Sequence, residues 1–137
     1  MIKGVDAICF PRHGDERGSL VAIEGQKNLP FSIGRIYYIY GTNREVVRGK
    51  HAHKDLHQVI LCLNGSCDVL IDNGTEREII HLDQPESGIY IHDFVWREML
   101  NFSSDCVLLA IVDKGYDLED YVYDYNIVKA YAERNEK

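Results

Sequence analysis

An all-β fold of about ten short strands, arranged as a β-sandwich or jelly-roll barrel and closed by a short C-terminal helix, is the class that this sequence predicts. Three observations point to it. Apolar or alternating segments of strand length recur along the whole chain, with turn residues at close spacing between them. Two Asn-Gly pairs, Asn64-Gly65 and Asn73-Gly74, stand between such segments as hairpin signals. Only the stretch from Ile127 to Glu136 has a helical look. No repeat, low-complexity segment or linker interrupts the pattern, so residues 1–137 are expected to form a single domain.

In order, Val5 to Phe10 reads as a short edge strand stopped by Pro11, and His13-Gly14-Asp15 as turn material. Arg17 to Ile23 is a second strand. After a polar loop through Gly25 to Asn28 and Pro30, the β-branched and aromatic run Ile33 to Tyr40 forms another. Alternation puts Arg35, Tyr37 and Ile39 on one face of it and Ile36, Tyr38 and Tyr40 on the other. Arg48 to Gly65 holds the central motif. Cys67 to Ile71 and Arg77 to Leu82 make a hairpin across Asp72-Asn73-Gly74, Ile89 to Ile91 and Phe94 to Met99 follow, and Val107 to Val112 is apolar throughout, as a core strand is. The tail from Tyr116 to Tyr125 turns acidic and aromatic before the helix.

Composition narrows the function. The chain has 137 residues, 45% of them apolar and 27% charged, as in ordinary globular proteins. A net charge of −7 argues against a general nucleic-acid binder, although local arginines can still hold a phosphate. Cys9, Cys62, Cys67 and Cys106 form no CxxC pair, and Cys62 and Cys106 lie in apolar runs, so free thiols in a reducing cytoplasm are expected. No apolar run approaches the roughly 18 residues of a membrane span, and Met1-Ile2-Lys3-Gly4 does not lead into a signal-peptide core. A soluble cytoplasmic protein without membrane partners is the expectation.

Chemistry concentrates between Arg48 and Gly65. His51 and His53 are two apart, so on a strand their rings share a face. His-x-His, four residues, a carboxylate or carboxamide, six residues and Gly resembles the first cupin motif, with Gln58 where many cupins carry Glu. Aligning Gly88 with the start of the second cupin motif puts Met99 where a His ligand would stand. A neutral amide and a thioether are weak ligands for hard or borderline cations, so no metal is expected. Without one, an imidazole can serve as a general base near neutral pH. The alternative is that both rings are merely structural. Arg48, Lys50 and Lys54 beside the pair, with Arg35 and Tyr37 on one face of another strand, favour a site for an anionic substrate.

The string RGKHAHKDLHQVILCLNGSCDVLIDNG, the later GIYIHDFVWREM and NFSSDCVLLAIV, and the DLEDYVYDY tail resemble the sugar 3,4-ketoisomerases that act on dTDP-4-keto-6-deoxyglucose, a metal-independent cupin family. The likeness runs from Arg17-Gly18-Ser19-Leu20 through Tyr125. It implies a cupin-type jelly roll, a dTDP-linked keto sugar as substrate, no cofactor, and a homodimer, with exchange of N-terminal strands left open. By position it implies His51 as the base that moves the sugar proton and Tyr37 as its acid/base partner. Arg17, Arg35, His53 and Arg97 would then line the pocket. Arg48, Lys54 and Gln58 are further candidates for holding substrate, and Trp96 for stacking on thymine. The 3-keto product would suit an aminotransferase, leading to a 3-amino-3,6-dideoxyhexose in a surface glycan. A 3,5-epimerase-like cupin, a metal-dependent cupin and a non-catalytic nucleotide-sugar-binding cupin are the rival readings.

Overall fold

The computed structural model describes residues 1–135, so the last residue of the expected helix, Glu136, lies outside the described residues. Twelve strands and one α-helix are present among them: β1 (Val5–Cys9), β2 (Arg12–Asp15), β3 (Gly18–Val21), β4 (Arg35–Ile39), β5 (Arg48–His53), β6 (Gln58–Asn64), β7 (Cys67–Asp72), β8 (Arg77–Leu82), β9 (Ser87–Ile91), β10 (Trp96–Leu100), β11 (Val107–Val112), β12 (Tyr121–Val122) and α1 (Tyr125–Asn135). Two antiparallel five-stranded sheets pack face to face, ordered β1-β9-β6-β11-β4 and β12-β5-β10-β7-β8, and β2-β3 forms a separate hairpin. The all-β sandwich with a short C-terminal helix is as the sequence predicts. None of the described helices is long and apolar enough to cross a membrane.

Residues 58–62 of β6 are buried without alternation because both faces of the strand are covered. Ile60 and Cys62 face the space between the sheets with Val69, Ile71, Ile89, Ile91 and Leu108. Val59 and Leu61 face outward, where Phe10, Leu29 and Phe31 cover them together with Ile111. The loop that carries Leu29 is tied down by Asn28, whose side chain accepts from the Glu24 amide at 2.8 Å and donates to the Ala22 carbonyl at 2.8 Å. Gly88 permits the close approach of β9 to β6, since a Cβ there would fall 2.0 Å from the Ile60 carbonyl oxygen.

One element departs from expectation. His13-Gly14-Asp15, read as turn material, lies in β2, and the chain reverses just after it, at Glu16 and Arg17. The Asp15 carboxylate accepts the Arg17 amide at 2.8 Å, and Gly18 takes φ +121°, so the turn sits at Asp15–Gly18.

In the second sheet β5 lies between β10 and β12, with His51 opposite Arg97 and His53 opposite Tyr121. A bulge between Arg97 and Glu98 shifts the β5–β10 register, and Lys50 takes φ 52° just before His51. Bulges commonly re-aim side chains next to a site, and this one adjoins the histidine pair.

Candidate active site

At one end of the sandwich β4, β5, β6 and β11 meet the segment 114–121 around a cavity of about 350 Å³. Two hydrogen-bonded chains of side chains occupy it.

The first runs through the histidines. His53 Nδ1 lies 2.9 Å from Asp120 Oδ2, and His53 Nε2 lies 3.1 Å from His51 Nε2. Asp120 also accepts the Asp55 amide through Oδ1 at 2.8 Å, so both carboxylate oxygens are engaged. Burial holds the His51 imidazole below its ordinary range, and burial together with the Arg97 charge pushes His53 down to about 2. His53 is therefore neutral at pH 7, with its Nδ1–H donated to Asp120, and the contact is a hydrogen bond to a carboxylate rather than an ion pair. Its Nε2 is left as the acceptor for His51. Tyr121 packs against both rings, at 4.9 Å from His51 and 4.4 Å from His53, and stacks on Tyr123.

The second chain is centred on Gln58. Its amide nitrogen donates to the Tyr37 hydroxyl at 2.9 Å, and its carbonyl oxygen accepts from Arg97 Nη1 at 2.6 Å. Arg97 is fully buried and gives its other donors to the Val95 carbonyl at 2.9 and 3.3 Å. Among the described residues no carboxylate is in ion-pair contact with it, and burial pulls its guanidinium down to about 10, which still leaves it charged at neutral pH. Burial raises the Tyr37 phenol above its ordinary value, so it remains a proton donor. Arg35 lies over the Tyr37 ring at 4.9 Å and the Tyr116 ring at 5.2 Å. Together these groups offer a neutral imidazole pair, a protonated phenol and a fixed cation at the wall of one cavity or just behind it, which suits proton transfer beside a carbonyl.

Of the residues singled out in the sequence, Arg35, Tyr37, His53, Lys54 and Gln58 line the cavity, and His51 and Arg97 stand directly behind it, bonded to His53 and Gln58. Three lie elsewhere. Arg17 sits at the exposed tip of the β2–β3 hairpin, paired with Asp15 at 2.6 Å. Arg48 is exposed at the start of β5, opposite Met99 and away from the cavity. Trp96 projects to the other face of β10 from Arg97, packs with Ala52, Val122 and Val128, and donates its indole N–H to Glu98 at 2.9 Å. A strand cannot present two adjacent residues to one face, and Arg97 holds the inner position. His57 is also outside, bonded to the Tyr90 hydroxyl at 2.5 Å after the chain leaves β5. Asp120, Tyr121 and Tyr116 belong to the cavity but were not singled out. Their signal was the acidic aromatic tail itself.

Asp120 orients the pair, which makes a direct expectation. In Asp120→Asn one amide oxygen must replace two acceptors, so either His53 or the Asp55 amide loses its partner and the His53 tautomer is no longer imposed. Any proton transfer run by the pair should slow by roughly 10-fold, less than the loss of a general base itself, as steady-state kinetics would show.

Residues 3–133 match the family model described as FdtA: WxcM-like, C-terminal. The chain is 52% identical over 124 residues, 90% of its length and 89% of the relative's, to the TDP-4-oxo-6-deoxy-alpha-D-glucose-3,4-oxoisomerase of Aneurinibacillus thermoaerophilus. It resembles the crystal structure of a histidine-to-asparagine mutant of the 3,4-ketoisomerase QdtA from Thermoanaerobacterium thermosaccharolyticum in complex with TDP-4-keto-6-deoxyglucose, with TM-score 0.94, 40% identity, and 98% and 97% of the two chains covered. It also resembles the WlaRB TDP-quinovose 3,4-ketoisomerase of Campylobacter jejuni, with TM-score 0.90, 40% identity, and 94% and 99% covered.

Proposed function

Since the chain belongs to the FdtA, WxcM-like C-terminal family, we propose that it is a sugar 3,4-ketoisomerase, an isomerase that converts dTDP-4-keto-6-deoxyglucose to the 3-keto sugar. The observation that carries this reading is the convergence of the His51–His53–Asp120 chain and the Tyr37–Gln58–Arg97 chain on one cavity. His51, whose Nε2–H is held by His53, takes on its other ring nitrogen the C3 proton that the neighbouring C4 ketone acidifies, and the electrons move onto O4 to give an enediolate. The buried Arg97 charge stabilises that oxyanion. Tyr37 protonates O4 and recovers the proton of the C3 hydroxyl, and the protonated His51 delivers a proton to C4, which leaves the ketone at C3 and the base free again. Atoms and electrons balance within the sugar, and no redox partner enters. Arg35 and Lys54, at the cavity wall, supply positive charge for the diphosphate. The relatives named for TDP sugars support the ligand class. The 3-keto product has the chemistry that an aminotransferase consumes, and we place the reaction in the cytoplasm, within one domain spanning residues 1–137.

An NMR time course with dTDP-4-keto-6-deoxyglucose in D2O tests the assignment. Deuterium arriving at C4 as the ketone signal moves to C3 is the expected result. A ketone that stays at C4 while deuterium enters C3 and C5 would mark an epimerase, and an unaltered keto sugar that binds would mark a binding module; either outcome overturns the proposal.

No metal takes part in this scheme. Both ends of the Gln58 amide are engaged by Tyr37 and Arg97, and Met99 is buried in the core, so two of the four ligand positions common in cupins offer no good donor. Dialysis against a chelator should therefore leave turnover unchanged. Activity lost and then restored by one divalent ion would contradict it.

The active form is a homodimer. The β2–β3 hairpin has almost no buried residues, and an isolated two-stranded hairpin is marginal in water. Edge strand β4 and the residue that follows it present Ile36, Tyr38 at 63% and Tyr40 at 70% exposure. Light scattering across working concentrations should give twice the chain mass; a monomer mass would refute the dimer.

A further inference from the structure

We propose that Cys62, Cys67 and Cys106 form a three-sulfur binding site for one Cu(I) ion, at the opposite end of the sandwich from the histidines. The three Sγ atoms all lie within 4.8 Å of one another, and Cys62 and Cys106 are 3.6 Å apart. A trigonal ion with metal–sulfur bonds of about 2.3 Å needs its sulfurs about 4 Å apart, so the cluster accommodates one with shifts of a few tenths of an ångström. A disulfide needs about 2.05 Å, a much larger closure, and would leave the third thiol unused.

The fold assembles the cluster from three places. Cys62 is near the end of β6, Cys67 opens β7 across the Asn64-Gly65 turn, and Cys106 immediately precedes β11. All three are buried, among Val69, Leu82, Met99, Phe102 and Leu108. The donor set selects the ion: it is all sulfur, and among the described residues no imidazole or carboxylate completes a fourth position within the cluster. Zinc in structural sites takes four ligands, whereas soft thiolates without a fourth donor suit Cu(I). Binding releases the thiol protons, including that of Cys62, which otherwise reaches the Asn64 carbonyl at 3.0 Å. Exposed Asn64 and Asp105 lie next to the cluster, joined by a 2.9 Å hydrogen bond from the Asn64 amide to the Asp105 carbonyl, so only one layer of loop separates it from solvent.

The site is separate from the catalytic machinery. Cys62 is four residues from Gln58 along β6, roughly 13 Å at strand rise, and Cys106 precedes β11 while Val112 at its other end lines the cavity. Its occupancy is independent of the isomerase reading.

The test is anaerobic titration of the full-length reduced protein with Cu(I) against a chromogenic Cu(I) chelator, using Cys9→Ser to remove the exposed thiol. One ion per chain, three sulfur neighbours at about 2.3 Å by X-ray absorption, and a raised melting temperature are expected. Cys67→Ala and Cys106→Ala should each abolish the complex while isomerase turnover stays unchanged. The sulfur count is read on a chain with all three thiols intact, so it decides the matter even if an alanine variant fails to fold. Failure to hold copper against the chelator, a shell of two sulfurs, a preference for Zn(II), or a two-hydrogen mass loss from disulfide formation would each overturn the proposal.

Discussion

Replacing His51 with asparagine is expected to lower turnover by roughly 10²-fold or more while leaving dTDP affinity nearly unchanged, which is the usual worth of a general base. Asparagine keeps a polar side chain of similar reach but cannot accept and return a proton at neutral pH. His53→Asn should lose less, because His53 acts by holding His51 and has its own Nδ1–H committed to Asp120. The pH profile gives a second check. Burial lowers both imidazoles, so the acid limb of turnover should fall below pH 6.5, the ordinary imidazole value. Stability carries a related sign: below pH 6.5 the unfolded chain binds protons at these positions that the folded chain refuses, so folding weakens as pH drops. Near-normal turnover in His51→Asn with a dead His53→Asn would reverse the two roles. If both variants stay active, Tyr37 becomes the first candidate for the proton carrier.

Arg97→Met should separate activity from stability. The guanidinium is fully buried and held only by neutral acceptors, Gln58 Oε1 and the Val95 carbonyl. A buried charge with no counter-ion in contact costs folding energy, and removing it offsets the cost of leaving Gln58 Oε1 and the Val95 carbonyl without their donor. If Arg97 is present for the enediolate, its loss should cost roughly 10²- to 10³-fold in turnover, the scale of one oxyanion-stabilising donor. The melting temperature should stay level or rise. A variant that keeps its turnover, or one that unfolds while losing it, would show that Arg97 is a structural residue.

Much of the sandwich was legible because its signals are local. Arg77–Leu82 and Val107–Val112 form strands with the bounds that their apolar patterns mark, and His51 and His53 do share a face. Spacing alone places residues two apart on a strand roughly 6.5–7 Å from each other, which implied two distant imidazoles. Their rings instead lean together until the Nε2 atoms touch, through χ angles that spacing does not encode. Trp96 was readable: it adjoins Arg97, so alternation already forbade both from facing the cavity. Asp120 was not, because it meets His53 across 67 residues of chain, and no local periodicity reports such a contact. Arg17 depends on where a turn begins, and the Asp15 side chain moved that turn past the His-Gly-Asp signal.

The late position of Asp120 bears on how the enzyme is made. Strands β1 to β11 all lie before residue 113, so eleven of the twelve strands, with the histidines, Tyr37, Gln58 and Arg97, precede the 117–123 segment along the chain. That segment then adds β12 beside β5 and brings the carboxylate to His53. A chain cut short after β11 would therefore carry the recognisable site residues without the carboxylate that fixes the His53 tautomer.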